Sequence, residues 1–308
     1  MKLGRRVVRV ALIQRGTKLH DKESITHDNL KLVDQVSKEK PDFICFSELS
    51  NTPCFPVIRD PKYFELAEPI PGPTTEAFAE KAKEYKCCIV LPMFEKGATE
   101  GEFYNSVVIL GPDGVIVPGI LPDGTYVNRM AKIHIGTGTI PTPNGQVTID
   151  EVYYFKPGPG LPVFKTPKAT IGVAICVDRH FPEAWRVMAL QGAEIVFVPS
   201  EVPSYIPGQG SEAEEMFIVE LRTRALENQV WVAACNMGGD EVVEGHTTRF
   251  FGRSCVIHPS GQVVAEAPSS MPAILTADID LDEVSTVRSF FSILGMRRPE
   301  VYTIISER

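Results

Sequence analysis

The chain has 308 residues, 44% of them hydrophobic and 23% charged, and a formal net charge of −8. This is the composition of a globular protein, long for one domain but within reach of a single large α/β unit. The negative balance argues against general nucleic-acid binding, which needs a basic surface, yet leaves room for one arginine to hold a small anion.

The amino end, "MKLGRRVVRVALIQ", is basic and then apolar. Arg9 interrupts the apolar part and no small-residue cleavage site follows, so a signal peptide is not expected. Val7 to Ile13 reads as the first strand. No apolar run approaches ~18 residues, so no membrane span is predicted. A helix follows, with Ile25, Leu32, Val33 and Val36 as its apolar stripe. Then come a buried strand in "KPDFICFSELS", a helical stretch, a second strand in "CCIVLPMFE", and the hairpin "FYNSVVILGPDGVIV". Asp113-Gly114 is a strong signal for its turn. A Gly/Thr/Pro-rich loop from Gly136 to Gln146 leads into "DEVYYFKPG".

The second half opens with an apolar strand, Thr170 to Ile175. It runs into Cys176 and turns polar at Asp178, Arg179 and His180. A helix with Trp185 and Met188 inward follows, with Pro182 tolerated in its first turn. After the strand "GAEIVFVPSEV", a helix over about Ser211 to Asn228 is expected to carry Met216, Phe217 and Leu221 inward. Glu220 and Arg224 are spaced i,i+4 along it and suit a surface pair. The strand "VWVAACNMGGDE" and the hairpin "FFGRSCVIHPSGQVV", turning at Ser260-Gly261, repeat the pattern of the first half. The last strand lies near Ile274 to Ile279. The tail "RSFFSILGMRRPEVYTIISER" follows.

The chain is thus written twice. Continuous apolar strands separated by helices imply sheets covered by helices. Two such halves predict a four-layer α-β-β-α sandwich with pseudo-two-fold halves. With no Gly/Ser linker between them, one domain over residues 1–308 is expected. Phe290, Phe291, Ile293 and Leu294 make the tail from about residue 285 too apolar to stand alone. It is expected to pack on another subunit, in a homodimer or larger homo-oligomer. The seven cysteines (45, 54, 87, 88, 176, 235 and 255) are odd in number and mostly lie in apolar runs. That suits free thiols in a reducing cytoplasm. No CxxC or Cys/His spacing suggests a metal.

Three residues stand out. Glu48 ends an apolar strand, where a carboxylate is unusual, although a solvated strand end would explain it. Lys132 sits in "NRMAKIHI" among apolar residues that would bury its stem, as they would for a snorkelling lysine. Cys176 taken alone is a core thiol, but it also stands where a strand turns into a helix, a place for a nucleophile. Glu201 falls near the position of Glu48 in the other half and is its rival. Cys54, in the Pro-bounded "NTPCFP", is the rival nucleophile. His134 and His180 are candidate bases that read equally as structural histidines; His134 is also a candidate substrate contact.

Together, Glu48, Lys132 and Cys176 resemble the nitrilase superfamily of carbon-nitrogen hydrolases. The resemblance runs through "FSE", "KIH", "DEVYYFKPG", "ICVDRHFPE", "RALENQVWVAACN" and "GRSCVIHPSG", nearly the whole chain. It implies the same sandwich fold, and the family's second glutamate matches Glu151. Cys176 would then be the nucleophile, Glu48 the general base, and Lys132 the partner of the tetrahedral oxyanion. Glu151 would orient Lys132 or help the water that cleaves the acyl-enzyme. No metal or cofactor is implied. The turn "CVDRHFPEAWRVMALQGAEI" looks most like N-carbamoyl-amino-acid amidohydrolases, in which Arg179 would meet the substrate carboxylate. A structural bridge from Arg179 to Asp178 or Glu183 is the other reading. The chain departs from those enzymes at His180 and in "PSEVPSYIPG". The expectation is hydrolysis of an N-carbamoyl amino acid to amino acid, carbon dioxide and ammonia. An aliphatic amidase or nitrilase is the alternative, and a silent scaffold of the same fold is the third reading.

Overall fold

The computed structural model describes residues 5–16, 21–142, 145–204 and 212–307. In chain order its principal elements are β1 (Val7–Gln14), α1 (Lys22–Val36), β2 (Phe43–Phe46), α2 (Pro73–Tyr85), β3 (Cys88–Lys96) and β4 (Phe103–Leu110). Next come β5 (Met130–Ala131), α3 (Glu151–Tyr154), β6 (Val163–Lys165), β7 (Thr170–Val173), α4 (Pro182–Leu190) and β8 (Ile195–Ser200). The chain finishes with α5 (Glu212–Asn228), β9 (Trp231–Asn236), β10 (Cys255–Ile257), β11 (Val263–Glu266), β12 (Ala273–Asp280) and α6 (Asp282–Phe290).

Among the described residues two large sheets form on one plan. In the first, β1, β2 and β3 are parallel, β4 runs antiparallel on β3, and β12 antiparallel on β1. In the second, β7, β8 and β9 are parallel, β10 runs antiparallel on β9, and β6 antiparallel on β7. This is the pseudo-two-fold plan expected from the doubled sequence. The hairpin turns at Gly114 and Gly261 take φ of 79° and 80°, where a glycine avoids the strain other residues meet.

The apolar runs explain the layering. Along β1, Val10 and Leu12 face the second sheet, while Ala11 and Ile13 face helices. Period-two alternation with both faces buried demands a continuous apolar run. Between the sheets the Phe43 and Phe197 rings lie 5.7 Å apart, and the Cys235 thiol donates to the Ile13 and Cys45 carbonyls. On the outer face of the first sheet, Val33 and Val36 of α1 and Phe78 and Ala82 of α2 cover Ile44 and Phe46. Each fully buried Val, Ile or Phe side chain among these contributes roughly 1.5–3 kcal/mol. On the second sheet, Trp185 and Met188 of α4 join Phe217 and Leu221 of α5 in the same core. Gly172 lets α4 approach: a Cβ there would stand 2.7 Å from the Met188 sulfur. The chain therefore forms an α/β fold whose layers run helix, sheet, sheet, helix.

Three local expectations are corrected. Met216 is 51% exposed, not inward. The buried stripe of α5 runs through Phe217, Leu221 and Ala225, and Met216 lies outside that i,i+4 line. Gly136 to Gln146 is not a loop but most of a hairpin, Thr137–Thr142 against Gly145–Asp150. Strand pairing satisfies backbone groups that a loop would leave to water. The strand opening the second half stops at Val173, although the Ala174 N–H still donates to the Phe197 carbonyl. In the tail, Phe290 and Phe291 are exposed, whereas Ile293 and Leu294 are half-buried, Leu294 against the main core. Ser211 and the part of "PSEVPSYIPG" beyond Ser204 lie outside the described residues. Among the described residues no helix is long and apolar enough to cross a membrane.

Candidate active site

Parallel strands in open sheets present their carboxyl ends to ligands. Glu48 follows β2, Glu201 follows β8, and Cys176 follows β7. Lys132 follows the short β5, and its N–H donates to the Asn105 carbonyl at 2.8 Å. Glu151 opens α3 at the end of the Thr137–Asp150 hairpin.

These ends converge. Glu48 Oε1 accepts from Lys132 Nζ at 2.8 Å and from Asn105 Nδ2 at 2.7 Å. Its Oε2 accepts the peptide N–H of Glu201 at 3.1 Å. Lys132 Nζ also donates to Glu151 Oε1, and Glu151 Oε2 accepts the Gly136 N–H at 2.9 Å. The Lys132 ammonium is fully buried between two carboxylates. Asn105 is a contributor the sequence reading missed. Its signal was an amide inside the apolar strand "FYNSVVIL".

Cys176 begins a tight turn, Cys176–His180, with φ of +43°. That region is unfavourable for a residue with a Cβ, and such strain persists only where surroundings enforce it. Asp178 is one enforcer. Its Oδ2 accepts the Ile175 N–H at 3.2 Å, and its Oδ1 accepts the His134 N–H at 2.9 Å. The Cys176 turn is thus tied to the segment that carries Lys132. Arg179 is another: Nη1 donates to the Cys176 carbonyl at 3.0 Å and lies 3.7 Å from Sγ.

Neither proposed structural partner holds Arg179. Its Nε lies 3.1 Å from Glu220 Oε2, and its guanidinium stands 5.3 Å over the Phe217 ring. Glu220 also meets His180 Nδ1 at 2.8 Å and Arg224 at 3.7 Å, so the expected Glu220–Arg224 pair belongs to a four-residue network. Among the described residues, Arg179 Nη2 makes no hydrogen bond. His134 is placed differently from a substrate contact. Its Nδ1 is 2.7 Å from Asp178 Oδ1, its ring stacks on Phe181 at 3.4 Å, and it is not among the described residues lining the cavity.

That cavity, about 360 Å³, is lined by Glu48, Glu151, Cys176, Arg179, His180 and Glu201, among others. Cys54 lines it too, but its backbone leads into a short turn without the strained φ of Cys176. Among the described residues no group of three or more His, Cys, Asp or Glu side chains is placed to hold a metal ion.

The electrostatics follow from burial. Desolvation, and then the Glu48 charge, push the Cys176 thiol up to about 12, against the opposing pull of Lys132 and Arg179. Burial disfavours charge on Lys132, but Glu151 and Glu48 outweigh it and hold the ammonium well above its ordinary range. Burial raises the Glu151 carboxyl; Lys132 opposes that and Glu48 adds to it. Burial also works against charge on Glu220, yet His180, Arg179 and Arg224 hold its carboxyl below the ordinary range. The site therefore holds a protonated thiol beside a fixed ammonium and two carboxylates.

Comparison with known proteins shows the family of the chain. The family described as carbon-nitrogen hydrolase matches residues 9–289. An N-carbamoylputrescine amidase of Solanum lycopersicum is 34% identical over 281 residues, covering 89% of this chain and 87% of the relative. A citrullinase of Francisella tularensis subsp. tularensis is 31% identical over 299 residues, covering 96% of each. The crystal structure of a carbon-nitrogen hydrolase from Helicobacter pylori G27 superposes with a TM-score of 0.85 at 26% identity, covering 99% of each chain.

Proposed function

Because the chain belongs to the carbon-nitrogen hydrolase family, we propose that it hydrolyses N-carbamoyl amino acids through a covalent Cys176 intermediate. The observation that carries this reading is the convergence of Cys176, Glu48, Glu151 and Arg179 on one cavity, with Lys132 directly behind them.

A thiol held near 12 is almost wholly protonated at neutral pH. It becomes a nucleophile only if a base takes its proton during attack. In this reading Glu48 is that base. Sγ bonds to the ureido carbon, and the carbonyl π electrons move to oxygen. Lys132, kept charged by its two carboxylates, stabilises that oxyanion. The intermediate collapses, the C–N bond breaks, and ammonia leaves with the proton from Glu48. Water then gives a proton to Glu48 and attacks the carbamoyl-thioester carbon. The C–S bond breaks, the departing sulfur takes the proton back from Glu48, and the released carbamate decomposes to amine and carbon dioxide. Glu151 holds Lys132 in place. Arg179 Nη2 is the donor left for a substrate carboxylate. Buried free cysteines suit a reducing compartment, so a cytoplasmic location belongs to this reading.

One observation favours a second reading, an aliphatic amide or nitrile substrate without a carboxylate: Glu220 already neutralises Arg179. An ammonia-release screen over N-carbamoyl amino acids, aliphatic amides and nitriles separates the two. Preference for an N-carbamoyl amino acid supports the first. Preference for a neutral amide or nitrile moves the protein to the second.

A further inference from the structure

The chemistry above uses Glu48, Lys132, Glu151, Cys176 and Arg179. It leaves one carboxylate in the cavity wall without a task. Glu201 lines the cavity beside Cys176, and its peptide N–H is bonded to Glu48, which fixes it next to the reacting centre. Its side chain is only 5% exposed. A carboxylate so buried is costly unless it is paired.

Among the described residues the Glu201 carboxyl is met by the Cys54 thiol and by one guanidinium. Arg15 Nη2, 3.3 Å from Glu201 Oε1, is the one cation in contact with it among the described residues. Against that cation stands Glu241, which accepts the peptide N–H of cavity-lining Cys54 at 3.1 Å and whose charge acts on Glu201. The other local cations are engaged: Lys132 with Glu48 and Glu151, Arg179 with Glu220. Among the described residues this wall of the cavity gathers the carboxyl groups of Glu48, Glu151 and Glu201. A carboxylate needed only to neutralise Arg15 would serve as well behind the wall, whereas Glu201 stands in it.

We propose that Glu201 is the specificity-determining residue of the cavity. It receives a cationic group of the substrate, which is therefore a ureido compound that also carries a primary ammonium. This rests on the N-carbamoyl reading and narrows it. With a carboxylate on Arg179, the full match is a zwitterionic ω-ureido amino acid. Burial, and then Glu241, hold the Glu201 carboxyl well above the ordinary range, against the pull of Arg15. An arriving ammonium reverses that balance and meets a full charge.

The test uses two ureido compounds that differ only in the ammonium, L-citrulline and 5-ureidopentanoate, beside the matching pair of ω-amides. Wild-type kcat/KM is expected to favour the ammonium-bearing member by ~10-fold or more, as for a charge-assisted pair. Glu201→Gln should cut that ratio at least ~10-fold, chiefly through KM, with the fold checked by Tm. A wild-type ratio near one, or a ratio unchanged in folded Glu201→Gln, overturns the proposal. If Glu201→Gln does not fold, the wild-type ratio decides by itself. If only the amides react, the N-carbamoyl reading fails while the amide ratio still judges Glu201. If neither pair reacts, calorimetry of the four compounds on the Cys176→Ala protein decides, and equal affinity with and without the ammonium, or no binding, overturns it.

Discussion

The peptide N–H of Glu201 donates to Glu48 Oε2 at 3.1 Å, joining the equivalent strand ends of the two halves at one carboxylate. Position along the chain made these glutamates rivals. Their surroundings differ: Glu48 bonds Lys132 and Asn105, whereas Glu201 meets Arg15. Glu48→Gln keeps the shape and removes the base, so turnover should fall by ~10² or more with Tm little changed. Near-normal turnover in that variant, beside an inactive Glu201→Gln, reverses the roles.

Cys176→Ala should abolish turnover and leave the fold intact, because the methyl group occupies the same strained turn. Mass spectrometry during turnover should show an adduct on wild-type protein and none on the variant. Cys54→Ala should retain the adduct. An inactive Cys54→Ala beside an active Cys176→Ala would transfer the nucleophile to Cys54.

Lys132→Ala leaves Glu48 and Glu151 facing each other without their shared cation. Breaking a buried pair in this way costs about 3–5 kcal/mol. Tm and turnover should therefore fall together. Denaturant unfolding measures the first and ammonia release the second; near-normal turnover removes Lys132 from the mechanism.

Glu201 also predicts a pH dependence of stability. Its carboxyl is raised on folding above the ordinary value of 4.5, so the folded state favours the protonated form. Its stabilising contribution is present below about 4.5 and is lost as pH rises through the folded value. Glu201→Gln lacks this loss. The Tm of the variant relative to wild type should therefore climb as pH rises above about 4.5. A difference that stays flat, or falls, contradicts the assignment.

Phe290 is 92% exposed and Ile304 76%, with Phe291 and Ile305 beside them in the tail. Patches of this kind mark contact surfaces. We propose a homo-oligomer held in part by this tail. Light scattering should give a dimer or larger particle, and Phe290→Glu with Ile304→Glu should shrink it. A monomeric wild type at micromolar concentration refutes the proposal.

The doubled layers were legible in the chain because strands buried on both faces must be apolar throughout, and Val10 to Ile13 and Ile195 to Val198 show that directly. Glu48, Lys132 and Cys176 stood out because each is a reactive group set in such a run. Asn105 did not, and Asp178 and Glu220 read toward nearer partners, since the work of all three is to bond groups far away in sequence: Asn105 to Glu48, Asp178 to His134, Glu220 to Arg179. Only the tertiary structure decided those partners. Hydrophobic periodicity reports which face of an element is buried, but a polar bond depends on which elements meet, and that is settled when the two sheets pack. For the same reason His134, eligible as a substrate contact in the chain, is turned toward Asp178 and Phe181 in the fold.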